Sequence, residues 1–171
     1  MHHADRDDDA IKSSHIIIDN DNIPKPIDFG ICAYGNMTMF HFEDVLGTEP
    51  YIAVEYKRKK ILITKANIFS YGVDLLEMIS SREPNARVDM TITEWAARCR
   101  WIINMKQDTD MSGMFDPRLL DSIARDDRVR ILSLLGACIQ PDHSKRLKSG
   151  QLVSQLLAMS CLTQVASSST R

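Results

Sequence analysis

Residues 64–81 read Thr64-Lys65-Ala66-Asn67-Ile68-Phe69-Ser70-Tyr71-Gly72-Val73-Asp74-Leu75-Leu76-Glu77-Met78-Ile79-Ser80-Ser81. Ile68, Phe69, Val73, Leu76 and Ile79 fall on nearly one face when wound at helical pitch, so the spacing predicts a long helix at the centre of the core. Thr64 stands where a capping hydroxyl is expected, and Ser80-Ser81-Arg82-Glu83-Pro84-Asn85 ends the run.

Outward from this helix toward the C-terminus, Thr93 with Ala96 and Ala97 opens a shorter predicted helix that carries Trp95 and Trp101 as half-buried anchors. Asp116-Pro117-Arg118-Leu119-Leu120 reads as a turn into a new packed segment. Two further helices are predicted. One spans 126–139 with Val129, Leu132, Leu135 and Ile139 at helical spacing, the other 149–159 with Leu152, Leu156 and Met159. Toward the N-terminus, residues 30–63 show no sustained period and contain Gly30, Gly35, Gly47 and Pro50, so a long irregular segment is expected, of the kind that carries function. Before it, Ile16-Ile17-Ile18, the polar Asp19-Asn20-Asp21-Asn22 and Ile23-Pro24-Lys25-Pro26-Ile27 predict a small β-hairpin, which the prolines confine to an edge. The expected architecture is therefore mainly α (α+β), four helices behind one hairpin.

The flanks are read as unstructured. Residues 1–10 hold Asp5, Asp7, Asp8 and Asp9 and no large apolar group after Met1, and the serine-rich end from 161 to 171 has nothing to anchor it. A net charge of −2 from 21 basic and 23 acidic residues gives no reason to expect a nucleic acid or an anionic membrane as partner. Cys32, Cys99, Cys138 and Cys161 lack the spacing of a metal site and are read as free thiols. No run approaches eighteen apolar residues, so the expectation is a soluble, cytoplasmic chain without a membrane segment.

Several strings together resemble a known family. Ile11-Lys12-Ser13-Ser14-His15-Ile16-Ile17-Ile18-Asp19 followed by Asp28-Phe29-Gly30 resembles the catalytic loop and D-F-G of protein kinases. Gly47-Thr48-Glu49-Pro50-Tyr51-Ile52-Ala53-Val54-Glu55 is similar to the G-T-x-x-Y-x-x-P-E end of the activation segment. Lys65 through Val73 resembles the S-D-V-Y-S-F-G-V helix of receptor-like kinases, and Pro141-Asp142-His143-Ser144-Lys145-Arg146 the late P-x-x-R-P motif. The wording between motifs is similar to plant receptor-like, Pelle-type serine/threonine kinases. The resemblance covers residues 11–158 and implies the helical C-lobe of the kinase fold with its activation segment. The N-lobe, which would carry the Gly-rich loop and the phosphate-holding lysine, has no counterpart in this sequence.

What the resemblance implies can be placed residue by residue. ATP and Mg²⁺ are the cofactors of the family, and transfer depends on positioning and charge stabilisation. Asp28 matches the first metal ligand. His15 takes the place of the Asn that would be the second, and imidazole nitrogen is a poor substitute for oxygen on Mg²⁺. Lys12 matches the phosphate-contacting lysine. Counting back from it, the H-R-D triplet falls on Asp8-Asp9-Ala10, so the base position holds Ala10, which accepts no proton. Arg6-Asp7, three residues upstream, is an alternative R-D pair. Gly47 and Thr48 match the substrate end of the activation segment, Glu55 and Arg146 the ion pair that staples it to the lobe, and Asn67 the position of a helix carboxylate that fixes the catalytic loop. Val54 and Leu147 replace motif prolines.

The altered positions count against nucleotide binding and phosphate transfer by this chain. They leave a pseudokinase interaction module as the expected function, with a protein partner such as a full-length kinase. The alternatives are a piece of a working serine/threonine kinase and a remnant without function. Because the helix that normally precedes the catalytic loop has no counterpart here, Phe69 and Leu76 are expected in an exposed apolar patch.

Overall fold

The structure, a computed structural model, describes residues 12–27, 39–82 and 113–159. The segments 1–11, 28–38, 83–112 and 160–171 lie outside the described residues. With them lie the acidic N-terminal stretch, Ala10, Asp28, the helix expected around Trp95 and Trp101, and the serine-rich end.

The described chain is rich in helix, with two small antiparallel sheets. A single 3₁₀ turn at Ser13–His15 leads into β1 (Ile16–Ile18), which pairs with β2 (Pro24–Pro26) in the register Ile17↔Lys25. The polar turn between them closes on Asp19. Its Oδ1 accepts the backbone N–H groups of Asp21 and Ile23, both at 2.9 Å, and Asn22 takes the left-handed conformation at φ 60°. The Lys25 ammonium, 2.7 Å away, holds the Asp19 carboxyl below its ordinary range. Among the described residues each strand has one neighbour, so both are edges, which accommodates Pro24 and Pro26.

The expected irregular segment proves more ordered than its composition suggests. β3 (Met39–His41) pairs antiparallel with β4 (Ile61–Ile63), and between them runs α1 (Val54–Lys59). Phe42 meets Tyr56 of α1 edge-on at 5.9 Å. Lys60, left-handed at φ 54°, ends α1 by donating its N–H to Tyr56 O.

β4 passes directly into α2 (Thr64–Ser80). Thr64 is the first helical residue rather than the cap: Ile63 occupies the cap position and has no side-chain oxygen to offer. α2 is buried almost all round, with Ile68, Phe69, Val73, Leu75, Leu76 and Ile79 in the core. The expected exposure of Phe69 and Leu76 is thus corrected. Phe69 is 5% exposed, with the Arg146 guanidinium 4.9 Å above its ring, and Leu76 is 4% exposed within the same core cluster. Large aliphatic groups are exposed instead on the hairpin, at Ile17, Ile18, Ile23 and Ile27, and later in the chain at Val129, Val153 and Leu157.

The helix turn α3 (Pro117–Leu120) is capped by the Asp116 carboxylate, which accepts from Arg118 N at 2.8 Å. α4 (Arg125–Cys138) packs on α2. The two approach closely at Gly72, where a Cβ would stand 2.6 Å from Ile139 Cγ2 and 2.7 Å from Cys138 Cβ. The buried face of α4 includes Ile131, Leu132, Leu134, Leu135 and Cys138, while Val129, expected to point inward, is 38% exposed. α5 (Ser149–Leu157) buries Leu152, and Met159 is buried just beyond its end. No helix among the described residues is long and apolar enough to cross a membrane.

Candidate functional site: the loop, segment and helix junction

Polar contacts join the segment at 12–15 to the segment at 47–56 and hold both on α2. Lys12 is buried, and its Nζ donates to Thr48 Oγ1 at 3.2 Å. Ser13 Oγ donates to Glu77 Oε2 at 2.8 Å, and Tyr51 OH donates to the same oxygen at 2.7 Å. Burial first, then the Glu77 carboxylate, pushes the Tyr51 hydroxyl above its ordinary value, so it remains a protonated donor. Ser70, one turn inside α2, donates to Tyr51 O at 2.8 Å. Gly47 precedes Thr48 at φ 119°, a conformation that only glycine adopts without strain.

The other end of the segment is held by a charge-assisted fork. Arg146 is buried, and its Nη1 and Nη2 donate to Glu55 Oε1 and Oε2 at 2.5 and 2.8 Å. Its remaining hydrogens go to the carbonyls of Gln140 (2.6 Å), Lys65 (3.2 Å) and Pro141 (3.4 Å). Lys65 reciprocates, donating from Nζ to the carbonyls of Ser144 and Arg146, both at 2.9 Å. Val54, at the proline position of the motif, is the first residue of α1, where proline is favoured but its absence leaves only an N–H that the helix would not use. Leu147, at the other proline position, packs half-buried against the core.

Of the residues singled out in the sequence, the structure brings Lys12 to Thr48 and Glu55 to Arg146. His15 lies in the same turn as Ser13, and its carbonyl accepts from Ile27 N at 2.7 Å. Asn67 is exposed on the first turns of α2. Asp28 and Ala10 lie outside the described residues. No cluster of three or more His, Cys, Asp or Glu occurs among the described residues.

Two acidic residues of α2 escaped sequence reasoning. Glu77 is the acceptor that joins the 12–15 turn to Tyr51, and Asp74, one turn earlier, is 1% exposed with neither carboxylate oxygen hydrogen-bonded among the described residues. Burial, with the Glu77 charge adding to it, pushes the Asp74 carboxyl up to about 6. The available signal was Asp74's position inside the apolar run Val73-Asp74-Leu75-Leu76 of a core helix.

A loop turn joined to a following segment, that segment joined to α2 through Tyr51 and Glu77 and to the loop before α5 by a buried Glu55–Arg146 pair, is compatible with a fragment of the kinase fold. Residues 3–158 match the protein kinase domain, and the chain belongs to that family. It is 32% identical over 152 residues to the proline-rich receptor-like protein kinase PERK1 of Arabidopsis thaliana, covering 85% of this chain and 23% of that protein. To the phytosulfokine receptor 1 of the same plant it is 30% identical over 151 residues, covering 85% of this chain and 14% of the receptor. The chain is homologous to plant receptor-like serine/threonine kinases and spans about a quarter or less of the length of these relatives.

Proposed function

We propose that this kinase-family chain is a non-catalytic interaction module. It presents the segment around Thr48 and the helical lobe to a protein partner in the cytoplasm, and a full-length kinase is the partner of choice. The observation that carries the reading is the contrast between Ala10 and its surroundings. The base position, two residues before Lys12, holds a side chain with no proton acceptor, while the contacts that hold the loop and segment in place are retained. His15 at the second metal-ligand position supports the same reading.

The test is thermal melting with and without Mg²⁺-ATP, joined to a phosphate-transfer assay on the chain itself and on a generic substrate. A ligand that binds only the folded state raises the melting temperature. The expected result is a cooperative melt, unmoved by nucleotide, and no transfer. An upward shift that disappears in Asp28→Ala, with transfer that disappears alongside it, sinks the proposal.

A second reading has its own support: Lys12 is retained and engaged with Thr48, and the relatives are several times longer. On that reading the chain is part of a working serine/threonine kinase, with Arg6-Asp7 supplying the base. An upstream in-frame Gly-rich loop and lysine in the transcript would establish it.

A further inference from the structure

A cavity of about 460 Å³ opens between the segment at 49–58, α2 and the end of α4, and neither Lys12 nor Thr48 lines it. Its lining is apolar, formed by Ile52, Val54, Phe69 and Ile139 with Pro50 and Pro141. The volume lies within the range of about 300–1,000 Å³ typical of cavities that receive ligands. The polar groups at this cavity are Glu49, Lys57 and Arg58, and they are not equivalent. Lys57 is ion-paired with Glu49, so those two charges answer each other. Arg58 is exposed and has no ion-pair partner among the described residues.

Arg58 belongs to the run Lys57-Arg58-Lys59-Lys60, in which Lys60 is 3.6 Å from Asp44 and Lys59, like Arg58, has no carboxylate partner among the described residues. Cations in the last turn of α1 suit its C-terminal dipole, and that alone would explain their sign. It does not explain an apolar cavity beside them. Apolar lining calls for an aliphatic or aromatic side chain, and an unpaired guanidinium at the lining calls for a carboxylate, which it can grip in a two-pronged geometry. The cationic surface extends past the cavity to Lys59, which matches a chain segment bearing several acidic groups better than a single small carboxylate.

We propose that this cavity docks an acidic peptide segment of a protein partner, with one apolar side chain inserted over Phe69 and a neighbouring Asp or Glu on Arg58. The inference rests on the interaction-module reading for the existence of a protein partner. It is tested without nucleotide, so its failure is separable from a failure of the catalytic claim.

The probe is an array of immobilised nine-residue peptides with a central Leu, Ile or Phe flanked by Asp and Glu, by Lys and Arg, or by Ser and Gly. The fluorescently labelled chain is applied at low and at high salt. The expected result is preferential retention on the acid-flanked set, weakened by salt and reduced at least tenfold by Arg58→Glu. Because Arg58 is exposed, that variant keeps the wild-type melt. Val54→Trp, which fills the cavity, is expected to abolish retention on all peptides with the melt again monitored. Absence of any preference, or a preference that survives Arg58→Glu, overturns the proposal. So does a concentration-dependent doubling of mass in light scattering that Arg58→Glu removes, which would assign the surface to a second copy of the chain.

Discussion

All five guanidinium hydrogens of Arg146 meet an acceptor, two on Glu55 and one each on Gln140, Lys65 and Pro141, inside a core that excludes water. Taking away the carboxylate would leave a buried charge unanswered, so Glu55→Gln is expected to cost about 3–5 kcal/mol, read as a lowered urea midpoint at unchanged slope. Asp74 is the opposite case, a buried carboxyl with no hydrogen-bond partner among the described residues. Its folded-state value of about 6 is above the ordinary one of 3.8, so the native state prefers it protonated. Its contribution to stability is therefore full below the ordinary value and is lost as pH rises through about 6. Asp74→Asn is expected to melt like the wild type near pH 4 and to be more stable at pH 7.5 by up to about 3 kcal/mol; equal melting at both values would refute this. Glu55 and Arg146 were legible in the sequence because each sits in a motif whose resemblance to the kinase family implies its partner. Asp74 was not, since helical spacing identifies a buried face from its apolar members and assigns a lone acid to the opposite side.

Among the elements, the α2–α4 pair depends on what Gly72 lacks. A methyl group there would press on Ile139 and Cys138, on a backbone that must move as well as on side chains. Gly72→Ala is therefore expected to destabilise by about 1–3 kcal/mol, against the small gain that alanine brings to an isolated helix. α2 itself was evident from its period, and the hairpin from three isoleucines and a polar turn. The β3–β4 pair was not, because strands of three residues are too short to display alternation. α1 was hidden because only Tyr56 is buried among its six residues, and its last turn reads as a charge cluster. On α4 the predicted face is buried at Leu132, Leu135 and Ile139 and fails only at Val129 in the first turn, while Ile131, Leu134 and Cys138 widen the buried surface beyond a single stripe.

For the molecule as a whole, Cys138 offers a reporter of global opening. It is 0% exposed between α2 and α4, and burial pushes its thiol up to about 12, so the nucleophilic thiolate is suppressed in the native state. Site-resolved alkylation followed by mass spectrometry is expected to label Cys138 only in step with global unfolding, and Gly72→Ala to raise that rate; fast labelling in native buffer would contradict the packing described. The sequence conveyed the class of the molecule through motifs in fitting order. It did not convey how completely the core closes over Phe69 and Leu76, because burial there depends on Arg146 and α4, contributed from far along the chain.

That distance also bears on how the protein is made. Glu55 and Arg146 are separated by 91 positions, so on a ribosome adding roughly 5–20 residues per second their pairing waits on the order of ten seconds. Throughout that interval the nascent chain carries Glu55 without its Arg146 partner and Phe69 uncovered, a window in which a holding chaperone meets an aromatic-bearing segment with the basic run 57–60 rather than a finished lobe.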